Sequence, residues 1–137
     1  MKSNSIGMPN PVEEFATIEE ASKHLQFKTV VPKEIPEGYK LKFISTISRE
    51  LFQVGYDNEK NNILFRMAKE IDKIDGDYND YKINKTIIVN NNQINLKGNK
   101  NNLVNLATFK IKDMSYSISV EKGMSEDDII KIVKSIF

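Results

Sequence analysis

Residues 115–120 read Ser-Tyr-Ser-Ile-Ser-Val, with Tyr116, Ile118 and Val120 alternating strictly against three serines. A period of two belongs to an extended strand, whose successive side chains point to opposite faces, so one face of the sheet it joins is apolar and needs a cover. The same alternation recurs upstream. Leu41 and Phe43 alternate with Lys40 and Lys42, Phe52, Val54 and Tyr56 with Leu51, Gln53 and Gly55, and Ile63, Phe65 and Met67 with Leu64 and Arg66. Three strands in a meander are predicted, joined by polar turns at 48–50 and 57–61. Further strands are predicted at 83–89, 93–97 and 103–111. Asn90–Asn92 and Asn99–Asn102 serve as tight turns, because asparagine tolerates the positive φ such turns demand. Between the two sets, residues 69–81 carry Gly76 and a string of Asp and Asn; the alternation breaks there, which reads as a loop between two halves of a sheet.

Two segments have helical signals. Thr17-Ile-Glu-Glu20 has the capping-box pattern, in which the Thr17 hydroxyl accepts from a free backbone N–H and Glu20 reaches back to the Thr17 N–H. Ile18, Ala21 and Leu25 then recur on one face as far as Phe27. At the other end Ser125 is an N-cap with Asp128 three residues on, and Met124 is placed to staple onto Ile129. Glu126, Asp127 and Asp128 favour the positive end of the helix dipole, and Ile129, Ile132, Val133 and Ile136 form a stripe that needs a partner surface. Between the first helix and the first strand stand Pro32, Pro36, Gly38 and Tyr39. The prolines force extended chain, and the Glu37-Gly38 turn aims it into the sheet, fixing where the first helix docks.

The expected fold is α+β, a single antiparallel sheet of about six or seven strands with two helices packed on one face. At 137 residues, one domain is the default, assigned to 11–137 with 1–10 as a flexible N-terminal segment. Hydrophobic residues make up 39% and charged residues 28%, and no apolar run approaches the ~20 residues of a membrane span, so no transmembrane segment is expected in this chain. The first ten residues lack the apolar stretch of a secretory signal, the pattern expected of a cytoplasmic protein if that N-terminus is native.

Chemistry is constrained mainly by exclusion. With no cysteine, thiolate catalysis and cysteine-bound metals are ruled out. His24 is the only histidine and falls on the first helix, away from any Ser–Asp constellation, so it reads as a surface or rim residue. Asp75, Asp77, Asn79 and Asp80 are a weak candidate calcium loop, since alternating oxygen ligands open an EF-hand. The match fails at Asp80, where glycine is required, and at Thr86, where a bidentate glutamate is required; an Asx-rich turn around Gly76 is the plainer reading, with Tyr78 and Tyr81 anchoring it. From residue 81 to 112 there is no acid, while Lys82, Lys85, Lys97, Lys100, Lys110 and Lys112 all fall there. Arg49 and Arg66, the only arginines, lie outside that stretch, and a net charge of +1 gives no general pull toward polyanions, so nucleic acid is not an expected partner. No catalytic residue and no cofactor is expected. Thr17, Pro32, Pro36, Gly38, Tyr39, Gly76 and Ser125 are read as structural.

The order of these signals also carries a resemblance. Asn10-Pro11 and Thr17-Ile-Glu-Glu-Ala21 come first, then Pro32 with Ile35-Pro-Glu-Gly-Tyr39, Gly76-Asp-Tyr-Asn79 and Leu96-Lys-Gly-Asn99. Ala107-Thr-Phe109, Tyr116-Ser-Ile-Ser-Val120 and the segment 123–136 complete the series. Together they resemble a Firmicute domain-of-unknown-function family, found as the extracytoplasmic C-terminal domain of anti-sigma-factor-like membrane proteins and lipoproteins. Phe109 stands where that family leads one to expect tryptophan. The Pro-Gly-aromatic opening, meander and closing strand–helix unit are also similar in order to the C-terminal half of periplasmic regulators of anti-sigma proteolysis. The resemblance implies an extracytoplasmic, envelope-associated regulatory protein, and transfers no catalytic or ligand residue. The resulting expectation is a non-catalytic sensor or interaction domain with an unknown protein or peptide partner, met through a sheet edge or exposed face. The alternative is a carrier or sensor of a small apolar ligand or lipid, held between sheet and helices.

Overall fold

The computed structural model describes residues 11–69, 74–77 and 79–137. In chain order the elements are β1 (Val12–Phe15), α1 (Ile18–Ser22), β2 (Lys40–Ile47), β3 (Leu51–Asp57), β4 (Asn62–Lys69), β5 (Ile83–Val89), β6 (Asn92–Gly98), β7 (Val104–Ile111), β8 (Met114–Met124) and α2 (Glu126–Ile136). The expected α+β class holds. The strands form one sheet, in the order β1-β2-β3-β4-β8-β7-β6-β5, with every neighbouring pair antiparallel.

The sheet has eight strands among the described residues, not six or seven. The additional strand is β1, four residues paired to β2 from Val12↔Ile47 to Phe15↔Ile44. Val-Glu-Glu-Phe has no alternation of its own, and its extended form is imposed by the neighbouring ladder. The first helix is correspondingly shorter than its periodicity suggests, ending at Ser22 instead of Phe27. Past that point the backbone tightens into i→i+3 bonds, His24 N–H to Ala21 O and Leu25 N–H to Ser22 O, and the Ser22 and Thr29 hydroxyls bond to each other. The Thr17 hydroxyl caps the helix by accepting from Glu20 N–H (3.1 Å), and it also donates to the Glu20 carboxylate (3.2 Å). Glu20 therefore closes on the hydroxyl and not on the Thr17 N–H.

Cross-strand register assembles the expected apolar face. Val54, Phe65, Ile118, Ala107 and Leu96 fall in one row, and Phe52, Met67, Tyr116, Phe109 and Ile94 in the next. The Phe109 and Tyr116 rings stack at 4.9 Å, and Phe137 meets Phe109 edge-on. This face is covered by α2, whose Ile129, Ile132, Val133 and Ile136 are all buried, and by Ala21 of α1 in the same cluster. Each such aliphatic side chain contributes about 1.5–3 kcal/mol. The proline junction completes the cover: Pro32 is buried, Val31, Ile35 and Tyr39 pack on the cluster, and Lys33 N–H donates to Ser135 Oγ of α2 at 3.0 Å. The direct hydrogen bond from the junction thus reaches the closing helix.

The opposite face is different in kind. The row Ser45, Gln53, Arg66, Ser117 runs across β2, β3, β4 and β8. Because β8 and not β5 pairs with β4, the chain leaving β4 must cross β8, β7 and β6 to reach its next strand. Of that connection, residues 74 and 75 lie against this polar face. Arg66 holds them there, donating from Nη1 to the carbonyls of Ile74 (3.2 Å) and Asp75 (3.1 Å), and from Nε to Gln53 Oε1 (3.1 Å). Gly76 follows at φ +63°, and a Cβ there would stand 3.0 Å from Arg66 Nη1. The left-handed backbone favours glycine there, and a Cβ would crowd the Arg66 guanidinium.

Candidate interaction edge

A single open sheet has two edges, and an edge strand offers unpaired N–H and C=O groups to any extended chain that reaches it unless something blunts it. The β1 edge is blunted: it is four residues long, carries Glu13 and Glu14, and is tied back by the Glu13–Arg49 ion pair at 3.0 Å. Arg49 Nε is the donor, and this bond holds the Glu13 carboxyl below its ordinary range.

The β5 edge carries fewer of these devices. It is seven residues long, contains no proline, and ends in the β-branched run Thr86-Ile87-Ile88-Val89, with Ile88 63% exposed. Its single charged residue, Lys85, is drawn into an ion pair with Glu126 at the start of α2. The strand is held in register on its inner side by β6 from Ile83↔Gly98 to Val89↔Asn92. The connecting turn places Asn90 at φ 50° and Asn91 at φ 67°, as the asparagine run leads one to expect. The result is a terminal strand whose outer ladder has no partner strand among the described residues.

Two open clefts adjoin the domain's secondary structure. One, of about 160 Å³, lies at the beginning of β5, lined by Ile83, Leu96, Lys97, Lys100, Leu103 and Glu126. The other, of about 320 Å³, lies between the proline junction and α2, bounded by Glu34, Pro36, Glu37, Asp128, Lys131 and Ile132. Both mix charged and apolar linings, and neither is an enclosed apolar chamber between sheet and helices.

The remaining residues singled out from the sequence are dispersed. The ring of His24 packs on Phe15 of β1 at 4.9 Å, at the rim of the helical side. Thr17 and Ser125 cap separate helices, Ser125 Oγ accepting from Asp128 N–H at 3.2 Å. Pro32, Pro36 and Tyr39 line the junction, where Tyr39 N–H returns to Pro36 O (3.3 Å) and Gly38 takes φ +94°. In the Asp-rich loop the carboxylates serve backbone turns: Asp75 Oδ1 accepts from Asp77 N–H (2.6 Å) and Asp77 Oδ1 from Asn79 N–H (2.9 Å). Asp80 is exposed, and Tyr78 lies outside the described residues. Among the described residues, no group of three or more acidic or histidine side chains is arranged to hold a metal ion. Tyr81 donates its hydroxyl to Asp77, so it is bonded within the loop; burial first, and this bond second, push its pKa up to about 12. The sequence pattern marks Arg66 only as a strand residue. Burial pushes its guanidinium down, and the nearby Asp75 partly offsets this.

Among the described residues no helix is long and apolar enough to cross a membrane. Over residues 29–136, from just before the proline junction to the end of α2, the chain matches the family described as Domain of unknown function (DUF4367). No curated protein and no solved structure matches it. The match spans most of the chain, and the protein belongs to the DUF4367 family of domains of unknown function.

Proposed function

We propose that this chain is a non-catalytic interaction or sensor domain that recognises an extended segment of a protein partner by adding it as a ninth strand along β5. The observation that carries the reading is the contrast between the two sheet edges, one of four residues with two acids, the other of seven residues, β-branched, with a single charged residue and an exposed Ile88. In strand addition the main-chain ladder supplies affinity and alternate side-chain contacts supply selectivity. The resemblance to extracytoplasmic domains of anti-sigma-factor-like proteins and lipoproteins supports setting this activity in an envelope-associated regulatory protein.

The test is fluorescence anisotropy with a capped, fluorescein-labelled peptide of alternating threonine and valine, titrated with the domain and with Ile88→Lys. Ile88 is largely exposed, so the substitution leaves the core alone, and an edge lysine opposes strand pairing. Saturable binding by the parent domain, weakened at least about tenfold in a variant of unchanged thermal midpoint, is the expected result. Equal binding by both proteins, or none by the parent domain, would refute it.

A further inference from the structure

The β5 edge is polarised along its length. Its first half carries Lys85, with Lys82 just before it, and its second half is Ile87-Ile88-Val89. The cleft at its beginning adds Lys97, on the Asn84 face of the sheet, and Lys100 to its lining, and neither forms an ion pair among the described residues. Glu126 is the one acid in that cleft, and it is already paired with Lys85. One end of the docking strand's path is therefore cationic with two unmatched lysines, and the other is apolar. Every ladder in this sheet is antiparallel, and an antiparallel addition is the more stable per residue and the more common. A strand laid antiparallel on β5 places its C-terminal end beside Ile83, at the mouth of the cleft.

Resting on the strand-addition reading above, we infer that the partner segment runs antiparallel to β5 and is acidic at its C-terminal end, its carboxylates meeting Lys97 and Lys100 while its N-terminal half lies along Ile87-Ile88-Val89. The lysines select direction and charge, and the strand ladder holds the chain.

Two capped peptides of identical composition separate this inference from the reading beneath it: one with three Thr-Val repeats followed by Glu-Glu, the other with Glu-Glu first. Affinities are measured for the parent domain and for the Lys97→Glu/Lys100→Glu variant, at low and high salt. The parent domain is expected to prefer the C-terminally acidic peptide by about fivefold, the scale of two exposed ion pairs. The preference should shrink at high salt, as screened surface charges require. In the variant it should vanish or invert, with the thermal midpoint unchanged. Equal affinity for both peptides, or a preference that survives the double substitution, overturns the inference and leaves strand addition standing. Failure of both peptides to bind overturns both.

Discussion

Ser117 sits on the polar face of the sheet with its side chain fully buried, and among the described residues its hydroxyl has no hydrogen-bond partner; Ser115, two residues earlier on the same strand, is in the same position. A buried hydroxyl without a partner carries its desolvation penalty uncompensated, about 1–3 kcal/mol. Ser117→Ala removes that penalty. Against it stand a void of one oxygen atom, a few tenths of a kcal/mol by the usual cavity scale, and a similar loss in strand preference. The net expectation is a gain of about 1 kcal/mol, or a rise in Tm of about 3–5 °C for a domain of this size. Ser45 supplies the control, because it lies in the same cross-strand row, is 1% exposed, and accepts from Gln53 Nε2 at 2.9 Å. Ser45→Ala leaves Gln53 short of an acceptor and should lose about 1 kcal/mol. Urea unfolding of both variants, with the slope checked for constancy, reads the two signs directly. If Ser117→Ala is as destabilising as Ser45→Ala, its hydroxyl has a partner and the reasoning about this face is wrong.

Arg66→Met keeps the aliphatic stem but strands Gln53 Oε1 and the carbonyls of Ile74 and Asp75, so it should cost about 2–3 kcal/mol in urea unfolding and speed proteolytic cleavage in the β4–β5 connection. The Tyr81 pKa is raised in the folded state above its ordinary value of 10.0, so its contribution is fully present below about pH 10 and is lost as pH rises toward about 12. Stability followed from pH 9 to 12 should therefore fall more steeply in the parent domain than in Tyr81→Phe. Gly38→Ala meets no atom within 4 Å but must hold φ +94°, so calorimetry should show a loss of about 1 kcal/mol that arises from backbone conformation alone.

Much of the architecture was legible because its signals are local. The Tyr116-Ile118-Val120 alternation, the asparagine turns and the Ser125 cap each depend on neighbours a few residues away, and each appears where expected. β1 was not legible, because Val12–Phe15 becomes a strand only through the ladder that β2 offers it. The end of α1 was misread for a related reason: Leu25 continues the helical period but packs from a tightened turn instead. The interaction edge lies between these cases. Residues 83–89 are recognisable as a strand, yet their being an edge depends on β4 pairing with β8, a contact between segments about fifty residues apart that no local pattern encodes. The same pairing separates β4 from β5 and turns Arg66 from an ordinary strand residue into the anchor of residues 74 and 75 on the polar face.

The most direct test of the central claim is amide hydrogen exchange by NMR, in the free domain and with the alternating threonine–valine peptide in excess. In the free domain the β5 amides that point away from β6 should exchange fast, as unpaired edge groups do, and the peptide should slow those amides while leaving β1 unchanged. Protection that fails to appear on β5, or that appears instead on β1 or around the cleft between the proline junction and α2, would contradict the account.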